Sequence, residues 1–129
     1  MRNLFFTTIV FFLSSTVFAQ TPNAEAITQA FKTGNAKELS KHFDSNVELK
    51  VFNKEDVYSK VQAELIIKDF FTKNPPKDYV ALHNGTSKSG AQYIIGQLTT
   101  SGHTYRINYF LKKSGSSYLI QELRFEQEE

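Results

Sequence analysis

Residues 59–76 read SKVQAELIIKDFFTKNPP, and this stretch decides the fold. Its apolar residues recur at the spacing of one helix face, at Ala63, Ile66, Ile67, Phe70 and Phe71. A stripe this wide has to be buried against another layer of the protein. The stretch therefore predicts an amphipathic helix that lies on a sheet or on other helices.

Both ends of this helix are marked in the sequence. Ser59 and Gln62 have the spacing of a capping box, in which each side chain bonds to the other residue's backbone N–H. Asn74-Pro75-Pro76 ends the helix, because Pro75 disfavours the helical conformation at Asn74 and neither proline has an N–H to donate. We therefore expect the helix to span about residues 60–73.

Two shorter helices are predicted upstream. Ile27, Ala30 and Phe31 share one face of a helix that begins between Thr21 and Asn23, and Gly34 supplies its left-handed end. Residues 35–38, Asn-Ala-Lys-Glu, have the form of a second capping box, which predicts that another helix follows at once.

The rest of the domain is predicted to be β-structure. Residues 47–51 alternate apolar and charged side chains, as in a strand with one buried face. Four more strands are expected, at about residues 79–84, 92–99, 104–112 and 118–125. The short turns between them force antiparallel neighbours. The order helix, helix, strand, helix, four strands indicates an α+β fold, in which the helices pack on a curved antiparallel sheet that forms a half-open cone.

The first 19 residues have the order of a signal peptide. Arg2 precedes an apolar run over residues 4–13, and Val17-Phe18-Ala19 places small residues before a cut after Ala19. Because polar residues follow this run, the apolar stretch is shorter than the roughly 20 residues that a membrane-spanning helix needs. An uncleaved membrane anchor is the alternative. We expect a signal peptide at residues 1–19 and one domain at residues 20–129. The mature protein would be periplasmic or secreted, with no membrane span after cleavage.

Composition excludes several classes of function. The chain has no cysteine, which rules out thiol catalysis, cysteine-based zinc sites and a lipid anchor on cysteine. Its 15 Lys and Arg nearly balance 13 Asp and Glu, so the sequence predicts no nucleic-acid binding. Residues 79–121 contain no acidic side chain. This distribution indicates either a solvated sheet or a mild preference for anionic ligands.

The combination of short motifs resembles an exported bacterial family of unknown function. The resemblance covers the mature chain and rests on Gly34-Asn35-Ala36, Tyr58-Ser59-Lys60 with Gln62-Ala63, Phe70-Phe71 before Asn74-Pro75-Pro76, and Tyr93 with Gly96 and Leu98. The resemblance implies a nuclear-transport-factor-2-like (NTF2-like), cystatin-like α+β fold and export. It implies no reaction, because that superfamily includes isomerases, dehydratases and many non-catalytic domains.

No catalytic residue, cofactor or metal site is predicted. Proton abstraction inside the cone would need a buried acid or histidine. Asp69 flanks the apolar stripe, and Glu122 shares a strand face with Ile120 and Arg124 by alternation, so both are expected to be surface charges. His83 is interpreted as a structural residue near a strand end or, alternatively, as a base, and the three histidines do not suggest a metal site.

Aromatic residues suggest a pocket for a small amphipathic or anionic ligand. Tyr105 and Tyr109 share one strand face, and a tyrosine offers an apolar ring with a polar tip. The candidate ligand-binding residues are Tyr58, Gln62, His83, Tyr93, Tyr105 and Tyr109. The alternative is that these rings only fill the wide end of the cone.

Apolar side chains on both faces of some strands suggest a partner. Residues 93–98 carry large apolar groups at both odd and even positions, so both faces of this strand are apolar. Phe110 is expected on the opposite strand face from Tyr109. This pattern predicts a homodimer through the outer face of the sheet. Three functions remain open: a non-catalytic binding module of the cell envelope for a small molecule or peptide, a small enzyme of the isomerase or dehydratase type, and a dimeric structural module.

Overall fold

Three helices and six strands make up the part of the chain described by the computed structural model, residues 23–128. The predicted signal peptide lies outside these described residues. The elements are α1 (Ala24–Thr33), α2 (Ala36–Ser40), β1 (Phe43–Val51), β2 (Lys54–Ser59), α3 (Lys60–Lys73), β3 (Pro76–Thr86), β4 (Gln92–Thr100), β5 (Thr104–Ser114) and β6 (Ser117–Gln127).

The predicted helix boundaries are confirmed. Gly34 ends α1 in the left-handed conformation with φ 64°, which glycine adopts without strain. The Asn35 side chain caps α2 by accepting the Glu38 N–H at 3.0 Å. Glu38 does not reach back to Asn35, because the Asn35 N–H donates to the Ala30 carbonyl at 2.9 Å, and the Glu38 carboxylate binds Lys41 at 2.7 Å. At the start of α3 both bonds of the capping box between Ser59 and Gln62 are present.

The strands form one curved sheet in the order β2-β1-β6-β5-β4-β3. The last four strands pair as consecutive antiparallel hairpins, as predicted. Two features differ from the expectation. Strand β2, which the sequence pattern did not indicate, pairs antiparallel with β1 at one edge. Strand β1 pairs parallel with β6, so the first strand lies beside the last.

Register shifts interrupt the sheet at four places, and two of them bear on the predicted site residues. In β3, Leu82 is the extra residue between the pairs Ala81–Gly96 and His83–Ile95. In β6, Gln121 is the extra residue between the pairs Phe110–Glu122 and Leu111–Ile120. Each bulge bends its strand and resets the alternation. For this reason Ile120 is buried on the inner face whereas Glu122 lies on the outer face, and the expectation that they share a face was wrong.

Aromatic rings fill much of the hollow of the sheet. Phe31 from α1 stacks on Tyr79 with ring centroids 4.8 Å apart, and it also contacts Tyr109 and Phe125. From α3, Phe70 lies 4.7 Å from Phe125 between ring centroids. The predicted stripe of α3 is therefore buried on the inner face, with Ile66 partly buried at its edge. Open space lies toward the β1–β2 edge, where α3 meets the first hairpin.

Candidate functional site

A groove of about 640 Å³ lies between α3 and the hairpin formed by β1 and β2. Its position follows from the fold, because α3 begins directly after β2 and turns back over β1. Pockets for small ligands have volumes of roughly 300 to 1,000 Å³ and a mainly apolar lining. The groove therefore has the size of a small-ligand site.

The lining of the groove is mainly apolar. The hairpin supplies one wall and α3 the other, and the apolar residues are Leu49, Val51, Phe52, Leu65, Ile66 and Phe70. Leu49 and Phe70 belong to the core, whereas Leu65 is 61% exposed. An exposed leucine beside a concave apolar surface adds to the area that a bound ligand would remove from water.

Polar groups lie at the rim of the groove. They are Asn53, Lys54, Tyr58, Asp69, Lys73 and Asn74. Lys73 binds Asp69 at 3.0 Å, so these two charges neutralise each other. Lys54 makes no ion pair with any residue in the range 23–128. The rim therefore carries one uncompensated positive charge next to an apolar floor.

Phe52 occupies an unusual backbone conformation at the end of the groove. It is the first residue of the two-residue turn between Val51 and Lys54, and its φ is 56°. This left-handed conformation favours glycine or asparagine in hairpin turns. The Phe52 N–H donates to the Phe125 carbonyl at 3.0 Å, which holds the turn against β6.

Tyr105 lies directly behind Phe52. The two ring centroids are 5.7 Å apart, and Phe70 contacts both rings. The Tyr105 hydroxyl donates to Asn74 Oδ1 at 2.8 Å. Burial raises the pKa of Tyr105 above its ordinary value. Tyr105 is thus beside the groove but covered by Phe52.

The structure places one of the six predicted site residues in the lining of this groove and a second beside it. Tyr58 is half-buried in its lining, and Tyr105 lies next to it behind Phe52. Gln62 lies in the first turn of α3, and its side chain is used in the capping box with Ser59. These positions do not test ligand binding, which stays a prediction for each residue.

The other three predicted residues lie elsewhere. His83 is exposed on the outer face, opposite Ile95. Tyr93 is also on the outer face, where its ring lies over Gly85 and contacts Phe110 at 6.2 Å between centroids. Neither residue can line a pocket inside the cone, so the expectation that Tyr93 shares a cavity with Tyr105 does not fit the geometry.

Tyr109 is buried deep in the hollow. It lies beneath Phe31, near Tyr79, and burial raises its pKa to about 12. Burial also raises the pKa of Tyr79, since its hydroxyl points at Gly96 in the interior. Tyr109 therefore keeps its hydroxyl proton at physiological pH and fills the interior, as the alternative interpretation of the aromatic residues proposed.

The carboxylates considered for catalysis are held in ion pairs. Asp69 is exposed at the groove rim and bound to Lys73, and Glu122 binds Arg124 Nε at 2.6 Å on the outer face. Within residues 23–128, no group of three His, Asp or Glu side chains is arranged to hold a metal ion. In the same range no helix is long and apolar enough to cross a bilayer.

The sequence analysis missed most of the groove. Phe52, Lys54 and Leu65 were not singled out, because their common position depends on strand β2, which was not predicted. The sequence did contain one indication of the hairpin. Asn53 lies between the segments that form β1 and β2, and asparagine is common in hairpin turns.

The model of the DUF4783 family, a domain of unknown function, matches residues 24–126. No curated protein matches the sequence. Among solved structures, a DUF4783 family protein from Bacteroides ovatus ATCC 8483 is similar to this chain at 32% identity with a TM-score of 0.76, and the match covers 81% of this chain and 94% of that one. A second, from Bacteroides uniformis ATCC 8492, has 29% identity and a TM-score of 0.77, covering 82% and 97%.

More distant structures share the fold alone. An NTF2-like protein of unknown function from Shewanella baltica OS155 has 12% identity and a TM-score of 0.61, over 81% of this chain and 87% of that chain. These neighbours agree with the architecture expected from the sequence, in which helices pack on a curved, unclosed sheet. They carry no information about a reaction or a ligand.

Proposed function

Since the chain belongs to the DUF4783 family, a domain of unknown function with an NTF2-like fold, we propose that it is a non-catalytic binding module of the cell envelope. Its ligand is a small amphipathic molecule with an apolar body and an anionic end. The ligand lies in the groove between α3 and the β1–β2 hairpin.

The observation that carries this proposal is the unpaired Lys54 at the rim of an apolar groove. An apolar body gains free energy from leaving water, at roughly 25 cal/mol for each Å² buried. Lys54 offers a positive charge to the other end of the same molecule, whereas the neighbouring Lys73 is already bound to Asp69. A ligand that is apolar along its length and anionic at one end satisfies both parts of the site.

Binding can be measured with dodecanoate as the anionic probe and dodecanol as its neutral counterpart. We expect the protein to bind dodecanoate, in competition with the fluorescent probe anilinonaphthalene sulfonate. Lys54→Gln should weaken dodecanoate binding about two- to fivefold, the effect of one solvent-exposed charge pair. Dodecanol binding should be unchanged by the same substitution. The matched control is Lys68→Gln, an exposed lysine of α3 outside the groove lining.

A second pair of variants tests the position of the ligand. Leu65 lines the groove and Val61 does not, although both are apolar residues of α3 that are more than 60% exposed. Leu65→Glu should weaken the binding of both probes, because it places a charge on the apolar wall. Val61→Glu should leave binding unchanged. Equal affinities in wild type and Leu65→Glu would rule out this groove as the site, and a peptide that binds where neither probe does would identify a different ligand class.

The outer face of the sheet supports a second proposal, that two copies of the chain form a homodimer. Tyr93 is 37% exposed and Phe110 36% exposed, and their rings contact each other. Val80 adds an exposed apolar side chain on the neighbouring strand. Toward β6 the same face carries charges of both signs, such as Arg124 bound to Glu122. In a twofold dimer this same patch lies on both sides of the interface, so apolar and charged groups of either sign are available to both copies.

Sedimentation at high micromolar concentration tests the dimer. We expect wild type to sediment as a dimer and Phe110→Lys as a monomer, because a buried unpaired lysine would oppose association. Val61→Lys on α3 is the control, since it adds the same charge away from the sheet face. A wild-type protein that remains a monomer at the highest concentration contradicts this proposal and leaves the groove untouched.

A further inference from the structure

Phe52 separates the groove from the interior of the cone. Phe52 lines the groove and is 38% exposed. Its ring also contacts Phe70 and Tyr105, with centroid distances of 6.0 and 5.7 Å. Phe52 is thus the partition between the open space and Tyr105.

The space behind this partition has its own chemistry. Tyr105 is only 3% exposed, and its hydroxyl is bound to the Asn74 side chain, which also donates to the Phe70 carbonyl. Without the Phe52 ring, the groove would continue along the rings of Phe70 and Tyr105 to this hydrogen-bonded pair. The extension would be apolar along its sides and polar at its end.

The backbone holds Phe52 in this place at a cost. A residue with a Cβ is disfavoured at a φ of 56°, and a large aromatic residue in that conformation is an outlier. The hydrogen bond from Phe52 N–H to the Phe125 carbonyl and the pairing of Val51 with Lys54 fix the turn on both sides. Such outliers occur where a side chain has to be held in one position for function.

We propose that Phe52 determines the specificity of the groove by closing its Tyr105 end, so that Phe52 sets the longest apolar chain that the groove accepts. This inference rests on the proposed function, because it concerns the same groove and ligand class. The protein with Phe52 accepts short amphipathic anions, and the same protein without the ring accepts longer ones that reach Tyr105.

The test compares straight-chain carboxylates in wild type and Phe52→Gly. Glycine is the chosen replacement because it removes the ring and also fits the left-handed turn. In wild type we expect affinity to rise from octanoate to dodecanoate and then to level off. In Phe52→Gly the rise should continue to tetradecanoate and hexadecanoate, by about fourfold for each methylene that gains apolar contact. Leu82→Gly is the control, since it removes an exposed apolar side chain from the β3 bulge, at the sheet edge opposite to the groove.

A structure of unliganded Phe52→Gly gives a readout that needs no ligand. We expect the groove to extend to Tyr105, with the Tyr105 ring newly exposed. Two results would show that Phe52 does not limit the length of the ligand. Neighbouring side chains could fill the space beside Tyr105 in the variant, or affinity could stop rising at the same chain length in both proteins. If wild type binds none of the carboxylates, the proposed function fails, while the structure of the variant still decides whether Phe52 closes the groove.

Discussion

Two strand glycines each accommodate a tyrosine ring, one on each face of the sheet. On the inner face Tyr79 covers Gly96, and on the outer face Tyr93 covers Gly85. In both places a Cβ atom on the glycine would overlap the ring. Glycine in a strand often marks such a close approach. The pairing explains why Gly96 stands in the middle of an otherwise apolar strand, which the alternation of β4 alone did not explain.

The two glycines should differ in their response to alanine. Tyr79 is 1% exposed and fixed by its stack on Phe31, so Gly96→Ala should lower the free energy of unfolding by about 1 to 3 kcal/mol, the usual cost of overpacking. Tyr93 is exposed and can move aside, so Gly85→Ala should cost clearly less. Urea unfolding of both variants measures the difference. Equal losses would mean that the buried ring is as free to shift as the exposed one.

At the scale of elements, the sequence predicted what local signals control. The ends of α3 and its buried stripe were predicted because caps, prolines and apolar spacing act within a few residues. Strand β2 was missed, since its residues are mostly exposed and polar and it pairs only with β1 at the sheet edge. The parallel pairing of β1 with β6 was also missed, because residues far apart in sequence determine it.

One polar contact joins three elements at the start of the domain. The Asn23 side chain does not cap α1. Instead its Nδ2 donates to the Tyr118 carbonyl at 2.8 Å and lies 3.1 Å from His42 Nδ1. For this second hydrogen bond His42 must be neutral, with Nδ1 as the acceptor. Burial lowers the pKa of His42 below 6.5, and the facing charges are Glu38, Lys41 and Lys60.

This contact predicts a pH-dependent stability. The folded protein holds His42 neutral more strongly than the unfolded chain does, so folding releases a proton in the window below pH 6.5. The contribution of His42 is therefore complete above pH 6.5 and is lost as the pH falls toward its lowered folded pKa. The measurement is the difference in unfolding free energy between wild type and His42→Gln. It should be constant above pH 6.5 and shrink below it, and a difference that stays constant down to about pH 5 contradicts the prediction.

At the scale of the whole molecule, the fold was predicted more completely than the site. The α+β class follows from the order of helices and hairpins, which was correct apart from β2, and the superfamily was implied by the resemblance of the short motifs to a known family. The groove needs the β1–β2 hairpin beside α3, so only Tyr58 was placed in it from the sequence. Tyr93 and His83 were expected on the inner face of the sheet and lie on the outer face. Because the outer face is also partly apolar, the sequence pattern did not distinguish the two faces.

Export remains a proposal, and it predicts a defined mature protein. When the full chain is produced in a bacterium with a general secretion pathway, we expect a periplasmic or secreted product whose first residue is Gln20. Mass spectrometry of the purified protein gives this end directly. Ala19→Leu should block the cut and leave the precursor in the membrane fraction, whereas Ala24→Leu, beyond the cut, should be processed normally. An intact precursor in the cytoplasm would contradict the proposal.

The pairing of the first strand with the last sets the order in which the molecule can assemble. The partners in β1 and β6 are about 75 residues apart, so β1 has no neighbour on that side until the C-terminal end of the chain has been synthesised. Until then α3 exposes the rings of Phe70 and Phe71, which Phe125 contacts in the folded protein. We therefore expect the incomplete chain to be prone to aggregation, and loss of the final strand would separate the β1–β2 hairpin from the rest of the sheet.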